Sequence, residues 1–392
     1  TADGAKAIGM SFVQTIGLLT TFPIAWPAIF VNIFAVGGAI TEVGQHFVDM
    51  KCLIDSTSEQ ETTEAWVFYM QQVGWALGPL ALMLLNTSFW QVLVRFFCRQ
   101  DNDEKENNDE KESKRRSSFE IFKVPEKELG SRTAVTSVAF LYLFWPVLTK
   151  RTFEMFACRT VCDDTHSYFL ADLNEQCWVG RHAAWTFALG LPMLIGYVVM
   201  LPAVAWWRIH RLHTVALLRK VKPNELPEHK HWGMLYSCFA PEIWFWEATV
   251  AARKISVAFI GVFGVGMGEI QVHLMALIIA FIILTTAVVQ PYRDQKLLHF
   301  LELLGLSALF LTLWAGTVFN SYPKCEDHGG LTLAWCSVLS LVVGVVNCLV
   351  LVCVVFIFVK NKCCSKEEIR STIDPATTWM ESPMRPTQIG SE

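Results

Sequence analysis

The apolar and polar positions divide the chain into long hydrophobic runs separated by polar loops. Each run approaches or exceeds the roughly 20 residues that a helix needs to cross a bilayer, and a helix satisfies its own backbone hydrogen bonds in lipid. The runs cover residues 8–40, 66–98, 133–148, 183–207, 245–267, 270–290, 297–319 and 331–359. The sequence therefore predicts an all-α, polytopic transmembrane helix bundle with about eight spans.

Prolines inside these runs predict that some helices are broken. Trp26 and Pro27 lie within the first run, which is too long for one simple helix, and Pro79 lies in the middle of the second. Proline removes a backbone donor and clashes with the preceding turn. We expect helix breaks at Trp26–Pro27 and at Pro79, and these breaks are candidate gating elements.

Composition supports a membrane protein and argues against an enzyme. The 392 residues are 53% hydrophobic and 17% charged, whereas soluble domains carry about 25% charged residues. HExxH, GxSxG, a CxxC pair and a glycine-rich phosphate loop are all missing from the sequence, so we expect no catalytic residues, no cofactor and no resident metal. We also expect no nucleic-acid partner. The chain begins Thr-Ala-Asp-Gly, which we interpret as the start of a fragment or a processed product.

The distribution of Lys and Arg predicts the topology. Loops rich in these residues, at 95–132, 208–230, 293–296 and 360–370, fall on one side if every run spans once, and that side is expected to be cytosolic. Both termini are then cytosolic, unless the first run re-enters as a hairpin. The predicted organisation is two membrane segments (1–99), a disordered charged cytosolic linker (100–131), a six-helix membrane bundle (132–359) with an outer loop (150–182), and a cytosolic tail (360–392). The membrane would be the plasma membrane or another endomembrane.

Four cysteines in the predicted outer loops are candidates for disulfides. Cys52 lies in the first outer loop, and Cys158, Cys162 and Cys177 lie in the second. An oxidising compartment favours disulfides there. We expect Cys177 to bond with Cys158 or Cys162, and the remaining cysteine to bond with Cys52. A zinc site that includes His166 is the less favoured alternative.

Ionisable residues inside two runs form a candidate buried charge cluster. Arg253 and Lys254 fall within the fifth run, Glu247 lies at its edge, and Glu302 lies in the seventh. A charge at such depth costs roughly 2.5–3.5 kcal/mol unless it is paired or faces water. We expect one cation to pair with Glu302 and Glu247 to complete the cluster. The cluster would either lock the bundle as an interhelical ion pair or belong to a permeation or gating path; snorkelling of the two cations to the interface is a further alternative.

Thirteen short blocks, taken in order, carry a family resemblance. They are Gln14, residues 22–27 (FPIAWP), Cys158, residues 168–172 (YFLAD), Cys177, His182, residues 190–192 (GLP), 235–236 (LY), 244–247 (WFWE), 253–254 (RK), Gln271, residues 290–292 (QPY) and 301–302 (LE). Together they resemble the C-terminal membrane region of TRP-like proteins, found in fungal TRP-like channels and in protist and algal proteins with cysteine-rich, ephrin-receptor-like ectodomains. The resemblance covers about residues 8–320.

The resemblance implies a cation-channel-like membrane domain, either a non-selective cation channel or a channel subunit. Glu42 and Glu269, near the predicted outer ends of two runs, are candidate cation-attracting carboxylates, although ordinary solvation at a loop edge is the simpler interpretation. The expected partners are the lipid bilayer, cations, and further copies of the chain or a larger membrane assembly. The alternatives are an anchor or receptor-type structural protein that carries a large ectodomain, and a transporter of a small solute.

Overall fold

The computed structural model describes residues 2–19, 22, 64–105, 126–160, 166–220, 232–233, 235, 238–293, 295–321 and 330–373. Long helices dominate this part of the chain. They are α1 (Ala2–Leu19), α2 (Glu64–Lys105), α3 (Glu126–Glu154), α4 (Gly180–Arg219), α5 (Trp246–Phe263), α6 (Glu269–Val289), α7 (Lys296–Ser321) and α8 (Gly330–Ile373). Within the described residues, seven helices, α2 to α8, are long and apolar enough to cross a membrane. The predicted all-α polytopic bundle is confirmed.

Helix α1 packs in the interior of the bundle, against α5, α7 and α8. Small residues make this close approach possible. A Cβ on Gly4 would lie 2.5 Å from Cδ1 of Leu298 on α7, and a Cβ on Gly9 would lie 2.7 Å from Cγ1 of Val354 on α8. Small residues at helix contacts let backbones approach closely in membranes. The polar side chains of α1 are therefore brought into the middle of the protein.

Helices α5 and α6 form a hairpin, which turns at Gly268. This glycine has φ 59° and ψ −130°, a backbone conformation that residues with a Cβ rarely adopt. Gln271 closes the turn from α6: its amide nitrogen donates to the carbonyls of Ile260 and Gly261, at 2.8 and 3.3 Å. A Cβ on Gly264 would lie 2.7 Å from Cγ of Gln271, so glycine there leaves room for this contact.

The expected break at Pro79 is wrong, because α2 continues through this residue. Proline at this position removes only the hydrogen bond to the carbonyl of Trp75, and helices in membranes tolerate such a loss through local adjustment. The other expected break, at Trp26 and Pro27, lies outside the described residues.

Helix α4 accommodates its prolines by changing its hydrogen-bond register. It contains two π-helical stretches, Thr186–Gly190 and Leu194–Met200. Each stretch ends two residues before a proline, Pro192 and Pro202 respectively. Local π-helical adjustments supply the freed carbonyls with other donors. The helix therefore stays continuous over 40 residues.

Three helices extend beyond the segments that hydropathy predicts. Helix α2 ends at Lys105 and α3 begins at Glu126, so both ends of the linker predicted as disordered are helical. Helix α8 runs on to Ile373, well inside the predicted tail. Helical propensity continues where apolar composition stops, since Glu, Lys and Arg are good helix formers.

The predicted outer loop contains a small antiparallel sheet. Its strands are β1 (Cys158–Thr160), β2 (Ser167–Phe169) and β3 (Asp172–Gln176), in the order β1-β2-β3. A disulfide joins Cys158 to Cys177 across this sheet, which confirms one of the two predicted pairings. Cys52 and Cys162 lie outside the described residues.

The surroundings of this disulfide favour it over zinc. His182 is close to both sulfurs, but its Nδ1 accepts a hydrogen bond from the backbone N–H of Trp178 at 3.0 Å. The proton must then sit on Nε2, which faces the sulfur of Cys177 at 3.9 Å. A protonated nitrogen offers no lone pair to a metal.

Removing the disulfide should destabilise the protein. The bond closes a loop across a sequence separation of 19 residues, and the chain-entropy model gives a stabilisation of about 3 kcal/mol for such a loop. Cys177→Ser should therefore lower the apparent melting temperature of the purified protein in detergent. Cys348→Ser, at a free and exposed cysteine, is the matched control and should melt like the wild type. Equal melting of both variants would contradict this account.

Candidate functional site

Arg253 and Lys254 are buried inside the bundle, at 4% and 1% exposure. They are the eighth and ninth residues of α5. The side chains of consecutive helical residues point about 100° apart, so the two cations contact different neighbours. Each therefore needs its own compensation.

Arg253 forms an ion pair that joins three helices. One guanidinium nitrogen donates to the Glu302 carboxylate on α7 at 2.8 Å, and another donates to the hydroxyl of Ser11 on α1 at 2.8 Å. The Arg253 and Glu302 side chains are only 4% and 5% exposed. The expectation that one of the two cations pairs with Glu302 is confirmed, and Arg253 is that cation.

Lys254 lies against an aromatic ring on α3. Its Nζ is 4.2 Å from the ring centroid of Tyr142. Among the described residues it has no hydrogen-bond partner. A cation over a desolvated aromatic face gains roughly 2 kcal/mol. The Tyr142 ring therefore offsets part of the cost of burying this charge.

Glu247 approaches the cluster through the same tyrosine. It lies seven residues before Lys254, so both project from nearly the same face of α5. Its carboxylate lies near the Tyr142 hydroxyl, and Lys254 and Arg253 attract it electrostatically. Glu247 thus belongs to the cluster by its proximity to Tyr142 and by electrostatic attraction to the two cations. In the described cluster, the salt bridge within 4.0 Å is that of Arg253 and Glu302.

Gln14 on α1 is a site residue whose role the sequence did not reveal. Its side-chain nitrogen donates to the backbone carbonyls of Tyr142 and Leu143, at 3.3 and 2.9 Å. Pro146 lacks the N–H that would normally bond to the carbonyl of Tyr142. Gln14 therefore supplies the donor that proline removes, and it fixes α1 against α3 next to the cluster. The i to i+4 relation between Tyr142 and Pro146 is the signal that could have pointed to this need.

Cys238 borders this region and adds no charge to it. It is buried, and its Cβ would lie 2.9 Å from a Cβ on Gly4. Burial, with the negative charge of Glu247, raises the pKa of the Cys238 thiol to about 12. The thiol is therefore neutral near pH 7.

A cavity of about 340 Å³ lies beside the cluster, between α3, α4 and the start of α5. Tyr142 and Glu247 line it together with aromatic and aliphatic side chains. The candidate carboxylate Glu269 is not part of this region: it lies 22 residues beyond Glu247 in the first turn of α6, at the opposite end of α5, roughly 30 Å away along the helix. Glu42 lies outside the described residues.

The fold and these features define an integral membrane protein, with helices in contact with the lipid bilayer. The chain matches no protein-family model, and no curated protein or solved structure is significantly similar to it. Any finer assignment of function therefore depends on the residues themselves.

Removing the negative partner of Arg253 should weaken the fold. Glu302→Gln leaves a buried cation uncompensated, which typically costs 3–5 kcal/mol, so the apparent melting temperature in detergent should fall. The double variant Arg253→Glu/Glu302→Arg should recover part of the loss, since the pair is reversed and retained.

The matched control for this experiment is Glu242→Gln. Glu242 pairs with Arg293 at 3.1 Å, but the two side chains are 67% and 59% exposed, and exposed pairs contribute about 0–1 kcal/mol. Its melting temperature should stay near that of the wild type. Equal losses in Glu242→Gln and Glu302→Gln would refute a special role for the buried pair.

Proposed function

We propose that this chain is the membrane domain of a TRP-like, non-selective cation channel or channel subunit. The buried network of Arg253, Glu302, Lys254 and Glu247 carries the proposal. Ionisable side chains inside a membrane bundle are expensive, and they commonly mark ion paths or gating elements. The ordered blocks that resemble TRP-like proteins support the same assignment.

The network is suited to coupling helices to one another. Arg253 links α5 to α7 and α1, while Tyr142 brings α3 to the same helix α5. A shift of α5 would exchange several charged contacts at once, because ion pairs at this depth have few alternative partners. Such discrete exchange of contacts between packed helices is how gating transitions commonly proceed.

The proposed topology places the disulfide-bonded sheet outside the cell and the termini in the cytosol. The Cys158–Cys177 disulfide supports this orientation, since disulfides persist in oxidising compartments. Cations, and association with further copies of the chain, are part of the proposal.

The proposed function is tested by measuring cation flux across the membrane of liposomes that contain the purified full chain. We expect wild-type protein to release trapped K⁺ down its gradient. Glu302→Gln should lower the initial rate about 5-fold or more, the scale of typical coupling energies between sites. Glu242→Gln should conduct like the wild type.

Folding and conduction are separated in this experiment by a second variant. Ser11→Ala removes one hydrogen bond to Arg253 and keeps the ion pair, so it should fold and should lower flux less than Glu302→Gln. Only protein that elutes as a single folded species is reconstituted. Wild-type protein that is folded but does not conduct would overturn the channel assignment in favour of an anchor or receptor.

A further inference from the structure

The cavity beside the charge cluster has the size and lining of a small-molecule site. Its volume of about 340 Å³ falls within the roughly 300–1,000 Å³ of ligand pockets. Helix α3 contributes Tyr142 and Trp145, helix α4 contributes Trp206, and Trp244 and Phe245 lie just before α5. The walls are therefore mainly aromatic and aliphatic.

Glu247 gives this apolar cavity a negative charge. Among the described residues that line the cavity, Glu247 is the one charged residue, and none of the others is Lys, Arg or His. The ring centroids of Trp206 and Trp244 lie 5.9 Å apart at an angle of 40°. His210 stacks on Trp206 and His213 stacks on Trp244, with centroids 5.5 Å apart in each pair, so the ligand has the second face of each indole. Aromatic faces attract cations, and Trp does so best. The lining therefore complements a positive group with apolar substituents.

The Glu247 carboxylate retains capacity for such a group. Arg253 is engaged by Glu302 at 2.8 Å, and Lys254 lies over the Tyr142 ring. The Glu247 carboxylate lies near the Tyr142 hydroxyl, and neither cation of the described cluster forms a salt bridge with it. A carboxylate offers about four acceptor positions, so acceptor positions remain for a donor that enters the cavity.

The cavity is accessible from the surface of the helix bundle. Trp206 and Phe245 line it and are 46% and 44% exposed. Trp206 lies at the end of the apolar run 183–207 and Phe245 lies just before α5, positions where amphipathic aromatic side chains favour the membrane–water interface. A hydrophobic cation concentrates at that interface, so it can enter the cavity laterally.

We propose that this cavity binds an organic ammonium ion with apolar substituents, its positive nitrogen held between the Glu247 carboxylate and the faces of Trp206 and Trp244. The apolar substituents pack against the walls from α3 and α4. This site requires no ion conduction, so it stands or falls independently of the channel assignment.

Titration calorimetry with benzyldiethylammonium chloride, a tertiary ammonium ion with one N–H donor, on the full chain in uncharged maltoside micelles, tests this site. We expect saturable binding with one site per chain. Glu247→Gln should weaken the affinity about 10-fold or more, since it removes the negative charge and with it a charge-assisted hydrogen bond. Glu242→Gln, which alters a neighbouring carboxylate outside the cavity, should bind like the wild type.

Two further comparisons keep the result decisive. The uncharged analogue, with carbon in place of the ammonium nitrogen, should bind more weakly than the cation to wild-type protein. Ala251→Phe fills the cavity without removing a charge and should abolish binding; Ala251 lines the cavity wall on α5. Absence of saturable binding to the wild type, equal affinity for the uncharged analogue, or undiminished binding by either Glu247→Gln or Ala251→Phe would overturn the proposal.

Discussion

The cost of keeping charge away from water is the constraint on which the rest of this structure depends. Two cations on α5 lie almost fully buried, and each is compensated differently: Arg253 by a carboxylate and a hydroxyl, Lys254 by an aromatic ring. An unpaired ion in such surroundings costs several kcal/mol. The positions of α7, α1 and α3 relative to α5 follow from these contacts. Glycines 4 and 9 matter for the same reason, because they let α1 come close enough for Ser11 to reach Arg253.

A second constraint, satisfaction of the backbone, meets the first at Tyr142. Pro146 deprives the Tyr142 carbonyl of its helical donor, and Gln14 replaces that donor. Lys254 lies over the ring of the same residue, and the Tyr142 hydroxyl lies near Glu247. Helices α1 and α5 are thus both tied to this one residue of α3, the first through its carbonyl and the second through its side chain. A movement of α3 that disturbs one of these contacts therefore disturbs the others as well.

The sequence predicted the parts of this structure that depend on local composition. Helices α6 and α7 lie within one or two residues of the expected spans, and the 3-10 turn after α5 extends that span to Met267, its expected end, because apolar length alone determines them. The pairing of Glu302 was predictable in kind, since a buried charge needs a partner, but the choice of Arg253 over Lys254 depends on helix rotation, which hydropathy does not encode. Pro79 was misjudged because one missing hydrogen bond does not break a long helix. The cavity arises from contacts between distant segments, to which periodicity is insensitive. The strands of the sheet are local but only three to five residues long, which is too short for a clear alternating pattern.

Glu247 and Tyr142 belong to both the charge cluster and the cavity, so the two cannot behave independently. The cluster contains two carboxylates and two cations, and its formal charges balance. A cation bound in the cavity adds a third positive charge beside Glu247 and weakens the attraction that this carboxylate exerts on Lys254. Any state of the bundle that moves Lys254 away from Glu247 therefore binds such a cation better, and by linkage the cation favours that state by the same free energy. The low dielectric around α5 enlarges this coupling, because charges there are poorly screened. A hydrophobic cation at this site would consequently act on the arrangement of α5, α3 and α7, the helices that the buried charges hold together.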